Sequence, residues 1–308
     1  TIAIMKGALG VDNYVTLSLK EAYEAEYWPL ELYKLSLLAP ERELSRRIAL
    51  ITGAARGIGL SVAQRFASEG AHLVLTDVDT QGVEALAAQL NEEYGAGRCI
   101  AVCHDVSSEE GTEVAFRSAV DAFGGLDILV SNAGIALTGA LDQLELEDWE
   151  RSFKVNATGH FLAARAGVRL MREQGFGGSI VFVATKNVLA PGKEFGAYSA
   201  AKSAEVQLAR VLAMENGEHG IRCNIINPDA VFQNSGLWSH QLRQERAQAH
   251  GIQESQLEEF YQRRNLLQVK VTPFDVAQAV LFFASDRAAK TTGCILTVDG
   301  GVSEAFPR

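Results

Sequence analysis

From Arg47 onward the chain alternates short apolar runs with longer amphipathic stretches. The runs are Ile48–Thr52, His72–Asp77, Cys99–His104, Leu126–Ser131, Ile180–Val183, Arg222–Ile226 and Cys294–Val298. None alternates strictly between polar and apolar residues, as expected of strands covered on both faces. The stretches between them have helix length and helical spacing, for example Val62, Ala63, Phe66 and Ala67. Strand–helix alternation of this kind predicts an α/β fold with a doubly wound, seven-stranded parallel sheet in one domain. The longest departure from the rhythm is residues 229–270, where Gln241–His250 reads as a polar helix and Leu257, Phe260 and Tyr261 as the stripe of another.

Residues 1–45 follow a different pattern and read as a helical extension, or the remnant of an upstream domain, ahead of a main domain at 46–308. Ser18-Leu-Lys-Glu21 is a capping box, in which the hydroxyl takes an early helix amide and the carboxylate reaches back. The helix it opens carries Ala22, Tyr23, Tyr27, Trp28, Leu30, Tyr33 and Leu37; Pro29 must kink or split it and Pro40 ends it. Such an apolar face is expected to pack on the main domain, on a neighbouring subunit or on an upstream domain. The first residue is Thr, which suggests a piece of a longer polypeptide.

Composition narrows the function classes. With 308 residues, 47% hydrophobic and 21% charged, the chain can bury a sizeable core without disulfides or a structural metal. A net charge of −10 argues against nucleic acid or an anionic membrane as partner. No apolar run approaches the ~20 residues of a membrane span, and no signal peptide opens the chain. Four cysteines make no disulfide framework, so a reducing, cytoplasmic setting is expected. Cys99 and Cys103 would face one side of a strand beside His104, but no second ligand pair exists and buried core thiols are the better reading.

The first strand runs into Thr52-Gly53-Ala54-Ala55-Arg56-Gly57-Ile58-Gly59, a glycine-rich turn that opens a helix. Backbone amides there can approach a pyrophosphate, which the helix N-terminus stabilises. Asp77 ends the second strand, 18 residues past Gly59, where its carboxylate can accept both adenosine ribose hydroxyls and repel a 2′-phosphate. That favours NAD over NADP, although Arg56 is a cation able to contact a phosphate. Later strand ends carry Asp105-Val106, a candidate for the adenine amino group, and Asn132-Ala133-Gly134, which would brace the central strands or the cofactor.

Tyr198 and Lys202 stand at i,i+4, so phenol and ammonium share a helix face. A nearby positive charge favours phenolate, and a phenol so tuned can act as general base or acid. Thr185, thirteen residues earlier, offers a hydroxyl just past the fifth strand, and Asn156 lies on the preceding long helix. Together with Asn-Ala-Gly and Asn227-Pro228, these motifs resemble the short-chain dehydrogenase/reductase family from about Arg47 to Gly301. The resemblance implies a Rossmann-type fold and a homo-oligomer, tetramer or dimer. It makes Tyr198 the acid/base, with Lys202 lowering its pKa and binding the nicotinamide ribose. Asn156 would hold a relay water. Gly53, Arg56, Gly57, Ile58, Gly59, Asp77, Asp105, Val106, Asn132, Ala133, Gly134 and Pro228 would line the cofactor. Two departures stand out: Thr185 replaces the usual Ser, and Asp229 stands where Gly often follows Asn-Pro.

A narrower resemblance rests on Glu26-Tyr-Trp-Pro-Leu-Glu-Leu-Tyr-Lys-Leu35, Ala184-Thr-Lys-Asn-Val188 and the tail Val298-Asp-Gly-Gly-Val-Ser-Glu-Ala-Phe-Pro-Arg308. It is to the dehydrogenase half of bifunctional rhamnulose-1-phosphate aldolase/alcohol dehydrogenase proteins. It implies an upstream aldolase domain and a small-molecule substrate such as L-lactaldehyde. The family builds a substrate lid at residues 229–270. Trp238 and His240 there are candidate pocket walls or simple packing residues. Arg263-Arg264 would bind a sugar phosphate or face solvent, and Lys186 and Asn187 are the better substrate contacts. A polyol or sugar dehydrogenase, a 3-oxoacyl-type reductase, and a nucleotide-sensing scaffold for an aldolase are the alternatives.

Overall fold

The computed structural model describes residues 18–37 and 41–306. Two compact units are present, Thr1–Arg42 and Glu43–Arg308. In the first, Ser18 Oγ accepts from the Glu21 amide at 3.2 Å, and Glu21 Oε2 accepts from the Ser18 amide at 2.9 Å. This closes the expected capping box on helix α1 (Leu19–Glu26). Pro29 splits the segment rather than kinking it, because it begins a second helix, α2 (Pro29–Ser36). There its missing N–H leaves no bond unmade. Tyr23 and Tyr27 stack at 4.5 Å, and Tyr23, Trp28, Tyr33 and Leu37 are exposed. Pro40, expected to end the helix, and the last two residues of the tail motif lie outside the described residues.

The second unit begins earlier than the expected boundary at 45/46. Leu44 is fully buried in its core, and the Leu44 amide bonds the Glu69 carbonyl at 3.0 Å. Seven strands form one parallel sheet in the order β3-β2-β1-β4-β5-β6-β7. They are β1 (Ile48–Thr52), β2 (His72–Asp77), β3 (Cys99–Cys103), β4 (Ile128–Ser131), β5 (Gly178–Val183), β6 (Ile221–Pro228) and β7 (Ile295–Val298). Leu50 sits opposite Val74 on one side and Leu129 on the other, so the three central strands share an apolar register.

Alternate strand residues feed two cores, one per face of the sheet. Ile51, Leu73, Leu75 and Val130 pack under α3 (Gly57–Ser68), α4 (Thr80–Tyr94) and α11 (Pro273–Ala284). Leu50, Val74, Leu129 and Phe182 pack under α5 (Glu109–Phe123), α7 (His160–Gln174) and α8 (Gly196–Asn216). A short helix α6 (Leu146–Phe153) precedes α7, joined to it by a π-helical turn over Lys154–Gly159. The 229–270 insertion contains α9 (His240–Ala249) and α10 (Leu257–Arg264) with a small apolar core of Phe232, Ala247, Leu257 and Tyr261.

Winding reverses between β1 and β4, so the loops after these two strands diverge and open a crevice at the C-terminal edge. The thiols depart from expectation. Cys99 and Cys223 are buried, but Cys103, the last residue of β3, and Cys294, just before β7, are exposed. His104 turns inward, with Nδ1 3.1 Å from Thr76 Oγ1 and Nε2 3.1 Å from Thr112 Oγ1, so both ring nitrogens are engaged away from the cysteines.

Candidate active site

The glycine turn owes its shape to two close approaches. Gly53 adopts φ +66°, and a Cβ there would lie 2.9 Å from the Ala133 backbone. Gly59 comes closer still: a Cβ would sit 2.0 Å from the Gly53 carbonyl oxygen. Gly59 thus supports the turn from within the first coil of α3 and does not itself line the cavity, contrary to expectation. Side chains lock the turn in place. Asn132 Nδ2 donates to the carbonyls of Thr52 and Gly53 at 2.9 and 3.1 Å, while Thr52 Oγ1 accepts from the amides of Asn132 and Ala133. Of the two roles open to Asn132, bracing the central strands is the one its side chain performs.

Asp77 is buried at the end of β2, and its two oxygens accept from the amides of Ala55 and Asp79, each at 3.0 Å. It therefore fixes the glycine turn as well as facing the cavity. Asp105 holds its own turn by accepting from the Ser107 amide and hydroxyl, and the hydroxyl keeps its carboxyl below the usual range. Arg56 lies along Gly236 of the lid.

One cavity of about 1360 Å³ runs through the site, larger than the roughly 300–1000 Å³ of ordinary small-molecule pockets. The glycine-turn residues Gly53, Arg56, Gly57 and Ile58 line it together with Asp77, Asp105 and Val106. Asn132, Ala133 and Gly134 follow, and then Thr185, Lys186, Asn187, Tyr198, Lys202, Pro228, Asp229 and Trp238. Residues from the ends of six strands thus meet in one space. A glycine turn at a helix N-terminus, with Gly53, Gly57 and Ile58 lining the cavity and a carboxylate behind it, fits the pyrophosphate and ribose of a dinucleotide.

Tyr198 lies in the first turn of α8, buried, with its ring edge-on to Phe195. Its phenol neighbours the Thr185 hydroxyl, which accepts from the Asn187 amide at 3.3 Å. Burial pushes the phenol well above its ordinary range; the Thr185 hydroxyl pulls it down, and Glu205 and Asp229 push it up. Lys202 was expected to lower it, but its ammonium is engaged elsewhere. It stands 2.7 Å from Glu205 Oε2 and 3.2 Å from His160 Nε2, and it donates to the Val183 carbonyl at 2.9 Å.

Asn156 is buried in the π-helical turn, where Oδ1 accepts from the Ile135 amide and Nδ2 donates to the Ile135 carbonyl and Ser152 Oγ. With these bonds its side chain braces the loop after β4.

The lid end is polar. Asp229 pairs with Arg264, whose guanidinium lies 4.4 Å from the Tyr261 ring centroid. Lys186 donates to the Ala190 carbonyl at 2.8 Å, and burial lowers its pKa. Trp238 stacks on Phe232 at 4.1 Å, so it serves both packing and cavity wall. His240 is exposed beside Glu254 and takes no part in the cavity. Of the arginine pair, Arg263 faces solvent with Glu259 and Arg264 lines the cavity. Sequence reasoning missed His160, Glu205 and the buried Arg246, which bonds Glu194 at 2.8 Å. Only Glu205 carried a signal, its i,i+3 spacing from Lys202.

Comparison with known proteins agrees with this geometry. A family model described as enoyl-(acyl carrier protein) reductase matches residues 53–303, and one described as aldolase class II, second domain, matches residues 1–35. The chain is 49% identical over 307 residues to the uncharacterized oxidoreductase YuxG of Bacillus subtilis, covering 100% of this chain and 45% of that protein. It is 35% identical over 260 residues to D-threitol dehydrogenase of Mycolicibacterium smegmatis, across 84% of this chain and 93% of that one. Among solved structures, levodione reductase superposes with a TM-score of 0.77 at 29% identity, covering 85% of this chain and 100% of that one. The chain belongs to the short-chain dehydrogenase/reductase family and is an oxidoreductase, which sets aside the scaffold alternative. It spans less than half the length of its Bacillus relative.

Proposed function

We propose that the protein is an NAD-dependent dehydrogenase for a small hydroxy-aldehyde or alcohol, with lactaldehyde the first candidate. The observation that carries this is that the Thr185 and Tyr198 hydroxyls line the same cavity as the glycine turn and Asp77. Nicotinamide, when bound, supplies the hydride acceptor or donor. The turn amides and Asp77 bind and orient it, and the Asp77 charge disfavours a 2′-phosphate. Thr185 holds the substrate oxygen and Tyr198 Oη moves one proton to or from it. For aldehyde oxidation the reacting species is the hydrate, whose geminal hydroxyl gives its proton to Tyr198. Lys186, Asn187, Asp229 and Trp238 form the substrate wall, and the Asp229–Arg264 pair suits a compact, polar substrate better than a long acyl chain.

The match of residues 1–35 to an aldolase second domain and the greater length of the Bacillus relative support an upstream aldolase as the source of that aldehyde. A cytoplasmic homo-oligomer is the setting this reading expects. The similarity to D-threitol dehydrogenase favours a second reading, oxidation of a polyol.

The experiment is to titrate NAD and NADP and to assay lactaldehyde, propanediol, polyols and a 3-oxoacyl substrate, with Tyr198→Phe alongside. Lactaldehyde turnover with NAD, lost about 100-fold or more in Tyr198→Phe, is expected. NADP binding as tightly as NAD would refute the role of Asp77, and a preference for threitol-like polyols would select the second reading.

A further inference from the structure

The contacts that occupy Lys202 form a closed set. A lysine ammonium has three N–H donors, and here Glu205 Oε2, the Val183 carbonyl and His160 Nε2 lie within 2.7, 2.9 and 3.2 Å of it. Two of these contacts are hydrogen bonds, and the third is an ion pair with a buried carboxylate. His160, buried, accepts through Nε2, so its own proton sits on Nδ1, 2.6 Å from Ser131 Oγ. Desolvation and the adjacent ammonium hold that ring neutral. Glu205 is wholly buried, and neither carboxylate oxygen has a hydrogen-bond partner, Oε2 meeting the Lys202 ammonium as an ion pair at 2.7 Å. A buried carboxylate with a bare oxygen is costly, and an apolar residue would fill a helix–sheet interface at less cost.

We infer that Glu205, supported by His160, is a positioning residue that holds Lys202 and tunes the Tyr198–Lys202 acid–base pair. An ionised Glu205 draws the ammonium onto itself and opposes phenolate formation at Tyr198; a neutral Glu205 releases Lys202 toward the tyrosine and the cofactor. The groups facing Glu205 are Lys202 and Tyr198 on its own helix and His160 from α7. Asp229, at the end of β6, adds its charge to that of Glu205 on the phenol. Burial, opposed by Lys202, raises the Glu205 carboxyl to about 7, which puts its ionisation where enzymes work. The inference rests on Tyr198 being the acid/base.

The test compares wild type with Glu205→Gln, Glu205→Asp and His160→Gln. The readouts are the pH dependence of kcat/KM for oxidation, the NAD dissociation constant and the melting temperature. Glu205→Gln removes the charge and keeps the shape. Its acid limb is expected to move down by about half to one pH unit, the size of one charge acting across a partly buried site, with tighter NAD binding. Glu205→Asp is expected to keep the wild-type limb, and His160→Gln to shift it less than Glu205→Gln. A Glu205→Gln enzyme that folds, with limb and NAD affinity unmoved, overturns the inference, because a merely structural role moves only the melting temperature. Should that variant not fold, NAD binding to wild type between pH 6 and 8 decides: tighter binding at the acid end supports the inference and a flat profile overturns it. Retained turnover in Tyr198→Phe would instead overturn the acid/base reading itself, so the two failures are distinguishable.

Discussion

Thr185 departs from the family's usual serine, and the physics of a single hydroxyl decides what that departure does. Its oxygen accepts from the Asn187 amide beside Tyr198, so it is oriented before any substrate arrives. The extra methyl restricts χ1 and adds bulk without removing the hydroxyl. Thr185→Ser should therefore keep kcat within a few-fold of wild type. Thr185→Ala deletes a donor aimed at the reacting oxygen and should lower kcat about 100-fold, as for loss of one preorganised donor in other active sites. Steady-state kinetics on the best substrate checks both, and an alanine variant with near-normal kcat would remove Thr185 from the mechanism. The same logic of pre-engaged donors explains what was hard to foresee. Tyr198 and Lys202 were legible as a pair, but nothing in their i,i+4 spacing revealed that the ammonium points to a carboxylate one turn on and to a histidine 42 residues earlier.

Among the elements, the strand–turn–helix unit of β1 and α3 shows how backbone packing builds the cofactor end. The Cβ absent from Gly59 would meet Gly53 backbone atoms at 2.0 and 2.8 Å, and no rotamer can relieve a collision with backbone. Gly59→Ala should cost about 1–3 kcal/mol of stability, as overpacking does, and should weaken NAD binding by tenfold or more. Gly217→Ala is the control: φ is −59° and nothing lies within 4 Å of its added Cβ, so the melting temperature should hold or rise slightly. Equal losses in the two variants would show that the turn tolerates a side chain. This unit was legible because an apolar run, a glycine cluster and an amphipathic helix follow one another without interruption. Elements bounded by polar residues were read less well. β5 starts two residues early at Gly178 and Ser179, and β6 runs on through Asn227 and Pro228, since ladder pairing with β4, β6 and β7 extends strands whatever their side chains. Arg264 illustrates the same limit on α10: its neighbour Arg263 has the same chemistry, and only tertiary placement turns one toward Asp229 and the other to water.

For the whole molecule, a core this apolar makes the protonation of three buried groups a matter of global stability. His104 is depressed to about 4 by burial, and His160 also lies well below its ordinary value. Glu205 moves the other way, to about 7. The sign of each effect follows from which state binds more protons. As pH falls below about 6.5 the unfolded chain protonates both histidines while the folded chain does not, so each draws the equilibrium toward unfolding. Between about 4.5 and 7 the folded chain keeps a proton on Glu205 that the unfolded chain has lost, which opposes one of the two. For these three groups the balance is one extra proton on the unfolded chain between about pH 5 and 6.5, and His72 and His250, also lowered by burial, act in the same direction. Stability should therefore fall by at least about 1.4 kcal/mol per pH unit of acidification there. Above 6.5 the histidine contributions fade while Glu205 still titrates, so the profile should flatten toward pH 7. Urea midpoints at pH 5, 6, 6.5 and 7.5 test the shape. In His104→Gln, where one histidine contribution is gone, the midpoint should be lower throughout and should fall less steeply between pH 6.5 and 5 than in wild type. A wild-type midpoint that holds steady from pH 6.5 to 5 would mean that these rings take up protons without unfolding, and that the His160–Lys202–Glu205 array is wetter than its burial implies.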